Sequence, residues 1–306
     1  MREWALKRQA GWHRRNCFHP VPAYTGTVFL YSNVFFAFVE GIWIMSLFRR
    51  KTAFRKEVEK LEKDEIRYCM TKRNKTDSAF NRIIEEKVPD KVQGTLDKAF
   101  NKAFSLVFEK GTVLIEKTYN KERIEREFRV KQYSVDLKAN KKSLQKVTKE
   151  AGGAGKKNFA ISGAAGIGMG IFGIAVPDIA IFTSMMLKSV YEIALHYGFE
   201  YESETEKFFV LNVLQGALTY GEKFEDINYE LNMFIETGEG LDYLDLDEAI
   251  EDTSKCLSGE LLYMKMLQNI PVAGVIGGAY DGIYMKRITE YAELKYRRRF
   301  LYSMAE

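Results

Sequence analysis

The chain has 306 residues, 46% of them hydrophobic and 29% charged, which is the composition of an ordinary folded protein. Its net charge of +4 is small for this length and argues against a nucleic-acid-binding protein. Three histidines and three widely separated cysteines show no metal-ligand spacing and no disulfide pattern. We therefore expect no metal, no cofactor and a reducing intracellular setting.

The first 44 residues differ from the rest of the chain. All three tryptophans lie there, and Lys7 is the only lysine. The almost wholly apolar stretch from Thr27 to Phe48 is about 22 residues long, enough to span a bilayer, and predicts a signal anchor. The abrupt change of composition at Met45 favours a mis-assigned translation start instead. We divide the chain into an extension, residues 1–44, and a domain, residues 45–306.

Apolar residues recur at helical spacing through most of the chain after Met45, and no segment alternates as a strand would. Steps of three and four residues predict an amphipathic helix between Val92 and Val107. The highly charged segment from Lys121 to Lys149 predicts a solvated helix or hairpin. We assign to it a thin apolar stripe of four residues: Ile124, Phe128, Tyr133 and Leu137.

The second half of the chain predicts further helices. Gly198 is placed to cap the C-terminus of one, and two amphipathic stretches follow at 204–220 and 222–235. The last helix opens near Ile270 and ends in the basic run Arg297–Phe300. The fold class is therefore all-α, a single multi-helix domain.

A charge-free, glycine-rich tract precedes Asp178. Its G-x-G-x-x-G spacing, which begins at Gly168, matches a dinucleotide-binding loop. No strand precedes it, however, and Pro177 follows too soon for the crossover helix. Glycines four residues apart instead predict two helical segments that pack closely at the core. The predicted helix-packing residues are Gly166, Gly170, Gly173, Gly274, Gly278 and Gly282.

An acid follows each glycine-rich segment. Asp178 suits the first turn of a helix, where a carboxylate favours the helix dipole. Asp281 is expected in a buried ion pair, because an unpaired buried carboxylate is costly. Neither has a nucleophile, a histidine or a metal cluster to support it in the sequence, so we assign no catalytic residue and expect the protein not to be an enzyme.

The tract from Phe159 to Val176 contains eighteen uncharged residues. Many are glycine or alanine, so a stable transmembrane span is marginal. The tract could form part of a soluble core, or a re-entrant or conditionally exposed hairpin. Basic residues at its base and at the end of the last helix are candidate membrane or partner contacts. These residues are Lys156, Lys157, Arg297, Arg298 and Arg299.

Three segments, in order and at plausible spacing, resemble the EcsC protein family: Gly170–Ile179, Tyr191–Phe199 and Asn269–Ala279. The closing run Arg297–Leu301 fits as well. The likeness extends from about Lys87 to Tyr302 and is strongest after residue 152. The family is mostly bacterial and is named for its association with an ABC transporter operon, and no reaction or cofactor is established for it.

The resemblance implies a non-enzymatic accessory protein on the cytoplasmic face of the membrane, peripheral to it or partly inserted, and linked to an ABC transporter system. Its partner would be the membrane surface or a membrane protein, with no nucleic acid involved. The alternative is a soluble helical binder of an apolar ligand such as lipid, with the Phe- and Met-rich core as its cavity.

Overall fold

The residues that the computed structural model describes form helices and irregular connections, with no strand among them. They are residues 52–73, 90–108, 115–116, 118–153, 176–238, 240–241, 245–267 and 277–304. This confirms the all-α prediction. The helices of this described part are α1 (Ala53–Arg73), α2 (Asp90–Leu106), α3 (Lys121–Leu137), α4 (141–153), α5 (Val176–His196), α6 (Glu204–Leu218), α7 (Gly221–Thr237), α8 (Leu246–Leu267) and α9 (Gly277–Ser303).

The last helix, α9, lies at the centre of the described core and contacts α1, α5, α6 and α7. Tyr296, in its second half, is fully buried. The ring of Tyr284 lies 6.4 Å from that of Phe182, and the ring of Phe300 lies 6.0 Å from that of Tyr197. The starts of α5 and α9 are therefore close together, and so are their ends, which means that the two helices run parallel.

Helix α6 is buried on nearly every face, because α7, α8 and α9 all pack against it. Its polar residues lie mostly in the first turn, where the Ser203 side chain accepts a hydrogen bond from the backbone N–H of Glu206 at 3.3 Å, a normal N-cap. At its other end Lys72 of α1 donates to the carbonyl oxygens of Ala217 and Thr219 at 2.5 and 3.1 Å. The predicted helix is thus present, but it is a core helix and not a half-exposed one.

Gly198 ends α5 as predicted. Its φ is +85°, a conformation that glycine adopts without the steric cost of a side chain. Its backbone N–H donates to the carbonyl of Leu195 at 3.1 Å, and that of Phe199 donates to Ala194 at 3.0 Å. These bonds satisfy carbonyls that the end of a helix otherwise leaves unpaired.

The predicted glycine contact falls only partly on described residues. Gly278 lies in the first turn of α9, and Gly282, one turn later, is buried. The Phe182–Tyr284 contact brings together the helices that follow the two glycine-rich segments, but their close packing stays a prediction. The remaining predicted glycines lie outside the described residues: Gly166, Gly170, Gly173 and Gly274.

Candidate functional site

The three arginines near the end of α9 lie inside the fold. The side chains of Arg297, Arg298 and Arg299 are 5%, 2% and 19% exposed. Arg297 pairs with Glu57 of α1 at 3.2 Å, and Arg299 pairs with Glu206 of α6 at 2.5 Å. The prediction that these arginines contact a membrane or a partner is therefore corrected, because acids of the same chain already hold their charges.

Arg298 and Lys295 connect the end of α9 to the neighbouring helices. The Arg298 guanidinium lies 2.7 Å from both Glu65 of α1 and Glu236 of α7. Lys295 donates to the Asn232 side chain at 2.6 Å. Buried charges are tolerated only when they are paired and hydrogen-bonded. The cluster therefore fastens α1 and α7 to the central helix, which is a structural role.

A second buried pair joins α8 to α9. The Glu260 side chain is 2% exposed and lies 2.5 Å from the Arg287 guanidinium. The Tyr284 hydroxyl donates to the Glu260 carbonyl at 2.9 Å, and the Tyr220 hydroxyl donates to its carboxylate at 3.4 Å. Burial raises the pKa of Tyr220 above its ordinary value, so this phenol remains a protonated donor. The arrangement holds two helices together.

A chain of polar contacts links the segment before α3 to the loop before α6. The Tyr119 and Tyr201 hydroxyls lie 2.6 Å apart, and Tyr201 donates to Glu116 at 2.7 Å. Lys121 lies 3.1 Å from the same Glu116 oxygen. Burial is the main cause that raises the pKa of both tyrosines. Tyr201 is fully buried, and its hydrogen bonds connect the two loops.

His196 lies at the C-terminus of α5, partly buried against the hairpin of α3 and α4. Removal from water lowers the pKa of its imidazole below the ordinary 6.5, and the nearby Lys131 cation lowers it further. Lys131 is itself paired with Glu150 of α4, and the other charged groups that act on the histidine are Glu127 and Arg123 of α3. No three His, Cys, Asp or Glu side chains within the described part are grouped to hold a metal ion.

Acidification should destabilise the protein partly through His196. Because the folded pKa is lowered, the unfolded chain takes up the proton first as pH falls below about 6.5, and stability is lost in that range. The His196→Gln variant should lose less stability between pH 7.5 and 5.5, measured by urea unfolding. Burial raises the pKa of Glu206, which acts in the opposite direction, so the comparison is variant against wild type at each pH. Parallel curves would contradict the prediction.

Helices α3 and α4 form an antiparallel hairpin, since Lys131 of the first pairs with Glu150 of the second. In the turn between them, the Asn140 side chain accepts a hydrogen bond from the backbone N–H of Ser143 at 3.0 Å and so caps α4. Buried apolar residues of both helices face the rest of the fold: Ile124, Val135, Leu144, Val147 and Ala151. The opposite faces of both helices therefore point outward.

The outward face of α3 carries an exposed apolar stripe. Val130, Tyr133 and Leu137 are 68%, 64% and 68% exposed. The sequence-based assignment of Tyr133 and Leu137 to the same inner stripe as Ile124 is wrong. Nine residues after Ile124 a helix has turned about two and a half times, which places Tyr133 on the opposite face.

Exposed lysines follow this stripe, in the turn after α3 and along α4, and the exposed acid Asp136 directly precedes Leu137. No Asp or Glu occurs between Asp136 and Glu150, and none of the lysines between them forms a side-chain ion pair with a described residue. Two sequence signals could have revealed this surface. They are the acid-free lysine run and a second apolar stripe, offset from the stripe that contains Ile124. We call the following residues the hairpin surface: Val130, Tyr133, Leu137, Lys138, Lys141, Lys142, Lys146 and Lys149.

The other predicted site residues fall at the edge of the described part or outside it. Asp178 is the third residue of α5, in the first turn as predicted, and Asp281 lies in α9. The side chains of both acids lie outside the described residues, as do Lys156 and Lys157. Their predicted roles stay predictions.

The glycine-rich tract of residues 159–175 also lies outside the described part, so its predicted relation to the membrane stays open. Among the helices of the described residues, none combines the length and the apolar character needed to cross a membrane.

The fold and its clusters define an all-helical protein whose interior charges are paired to one another and whose outer hairpin is basic and partly apolar. The model of the EcsC protein family matches residues 53–301, and the chain belongs to this family. The match starts well before Lys87, where the resemblance seen in the sequence begins. It therefore includes α1 and the acids that α1 contributes to the arginine cluster. No curated protein and no solved structure matches the chain.

Proposed function

We propose that this chain is a non-enzymatic, membrane-associated accessory protein that works by binding. The observation that carries the proposal is the contrast between interior and hairpin surface. The buried cations Arg297 and Arg298 and the partly buried Arg287 are each held by acids of the same chain. The lysines of the hairpin surface have no such partners among the described residues and lie on the same hairpin as the exposed apolar side chains. Unpaired basic residues beside exposed apolar side chains suit the surface of a membrane.

The polar clusters of the interior support a non-enzymatic role. The Glu260–Arg287 pair and the Tyr119–Tyr201 pair fasten helices and loops by hydrogen bonds. The tyrosines in them have raised pKa values because of burial, so they act as hydrogen-bond donors. An accessory protein of this kind would meet an integral partner, such as an ABC transporter, at the bilayer surface.

The alternative function, a soluble binder of an apolar ligand, draws less support from the geometry. It needs the apolar core to line a cavity. Phe209, Phe224 and Met285 are fully buried, and Phe209 packs its ring 5.1 Å from that of Tyr296. The ring of Phe224 likewise packs 5.8 Å from that of Tyr291, so these described rings already have partners in the core, which favours the membrane-associated proposal.

Membrane fractionation tests the proposal. The full chain and a chain that begins at Met45 are expressed in parallel, and the membranes are washed first with high salt and then with alkaline carbonate. We expect the shorter chain to sediment with membranes at low ionic strength and to be released by salt, because ions screen the attraction of surface charges. Recovery of the shorter chain in the soluble fraction at low ionic strength would contradict membrane association.

A further inference from the structure

We infer that the hairpin surface is the lipid contact, on which α3 lies flat against an anionic bilayer. The lysines meet the lipid phosphates, while Val130, Tyr133 and Leu137 reach the boundary between headgroups and acyl chains. This inference rests on the proposed membrane association and adds its site, its orientation and the charge of the lipid.

The geometry of α3 fits a flat, apolar partner. Val130, Tyr133 and Leu137 follow steps of three and four residues, so they share one face and extend over about 10 Å of helix. The buried residues Lys131 and Val135 fix the opposite face against the fold. The stripe therefore points away from the protein, at a position where its three side chains can enter a bilayer surface together. A basic, partly apolar helical surface lies in the interface plane in this way, here with the apolar residues on α3 and the lysines on the turn and α4.

The charges of the hairpin surface fit anionic headgroups. All five of its basic residues are lysines and are exposed. A lysine is a hydrated point charge on a flexible stem, which can follow mobile phosphates without fixed geometry. Its apolar stem can lie along the acyl boundary while the ammonium stays at the level of the phosphates. Each lysine near an anionic surface should strengthen binding by roughly fivefold.

A lipid surface fits these residues better than a nucleic acid or an acidic protein. Tyr133 is the one aromatic side chain of the hairpin surface, too few for successive bases to stack. On a nucleic acid, Val130 and Leu137 would face phosphates and would gain nothing from being covered. An acidic protein would satisfy the lysines but would need its own apolar stripe to cover α3.

Amine footprinting of the full chain tests the contact residue by residue. An amine-reactive reagent is applied with and without vesicles, and modification is read by mass spectrometry. We expect vesicles of phosphatidylcholine mixed with phosphatidylglycerol to protect the five lysines of the hairpin surface, and vesicles of phosphatidylcholine alone to protect them much less. Three exposed lysines of α1 serve as internal controls and should stay equally reactive: Lys56, Lys60 and Lys63.

Matched variants separate the contribution of the lysine charges to vesicle binding from that of the inserted apolar side chains. The triple change Lys138→Gln, Lys141→Gln and Lys142→Gln should weaken partition of a chain that begins at Met45 onto the mixed vesicles by about a hundredfold at low salt. The same three-charge change at Lys56, Lys60 and Lys63 should weaken it far less, because those lysines are not in the contact. Leu137→Gln leaves the charge unchanged and should also weaken partition, whereas Met70→Gln, an exposed residue of α1, should not.

The outcomes separate an error in the contact site from a failure of membrane association itself. If the chain partitions onto membranes but the control lysines are protected in place of the hairpin lysines, the contact site is wrong and membrane association survives. If Leu137→Gln has no effect while DNA or an acidic peptide protects the hairpin lysines as vesicles do, the surface binds polyanions and the lipid inference is overturned. If neither chain length associates with membranes, the proposed function fails, and the inference fails with it.

Discussion

Replacing Arg298 with methionine is expected to reduce the free energy of unfolding by about 3–5 kcal/mol, because it breaks a buried ion pair and leaves acids without their cation. Domains of this kind have total stabilities of about 5–15 kcal/mol. A single substitution of this buried side chain should therefore remove a large part of the stability. Urea unfolding followed by circular dichroism measures the change directly.

The expected effect is large because three helices meet at this guanidinium. It lies 2.7 Å from Glu65 and 2.7 Å from Glu236, and it donates to the Tyr302 hydroxyl at 3.2 Å. Methionine matches the length of the aliphatic stem but supplies no donor. Lys295 remains 3.8 Å from Glu65, so the acid of α7, Glu236, loses more than the acid of α1.

Two comparisons make this prediction specific. Arg67→Met removes an arginine that is 78% exposed and pairs with Asp64 at 3.5 Å, so it should cost no more than about 1 kcal/mol. Adding Glu236→Gln to the Arg298→Met variant should restore part of the lost stability, since the neutral amide needs no cation. If Arg298→Met proves as mild as Arg67→Met, the cluster does not hold the helices together as described.

The sequence predicts the individual helices well, because the pattern that identifies a helix is the spacing of apolar residues within one or two turns. The steps of three and four residues between Val92 and Val107 become α2, and the amphipathic stretch at 222–235 becomes α7. Gly198 is the cap that its position implies. Such signals need only neighbours within a turn or two, so a single sequence contains them.

The role of the arginine run could not be predicted in the same way. Three arginines near the end of a helix suit the helix dipole or an acidic surface equally well. The acids that bind them are Glu57 in α1, Glu206 in α6 and Glu236 in α7, which lie far away along the chain. Only the packing of those helices around α9 shows that the arginine charges are already satisfied, and no local pattern contains that information.

The orientation of α3 was missed for a different reason. Its inner stripe includes Lys131, a charged residue whose side chain is 9% exposed and paired with Glu150. A search for apolar spacing skips this position and selects Tyr133 and Leu137 instead. An ion pair between two helices of a hairpin thus concealed the true inner face, and with it the hairpin surface.

Gly198→Ala is the second substitution expected to be strongly destabilising, by about 2–5 kcal/mol. An alanine at φ +85° experiences the left-handed backbone strain, about 1–2 kcal/mol. Its Cβ would also lie 2.1 Å from the ring of Phe128, which must move. Overpacking of this kind costs about 1–3 kcal/mol, and a shift of the Phe128 ring would disturb its edge-on contact with the ring of Phe300 at 6.3 Å.

Gly238→Ala is the matched control for this second prediction. Gly238 also closes a helix, at φ +72°, and a Cβ there meets nothing within 4 Å. The control should therefore show the backbone strain alone, about 1–2 kcal/mol. In a Phe128→Ala background, Gly198→Ala should cost only as much as Gly238→Ala, because the obstructing ring is gone. If the cost of Gly198→Ala is the same in both backgrounds, α3 does not pack on the end of α5 as described, and the hairpin surface loses its fixed orientation.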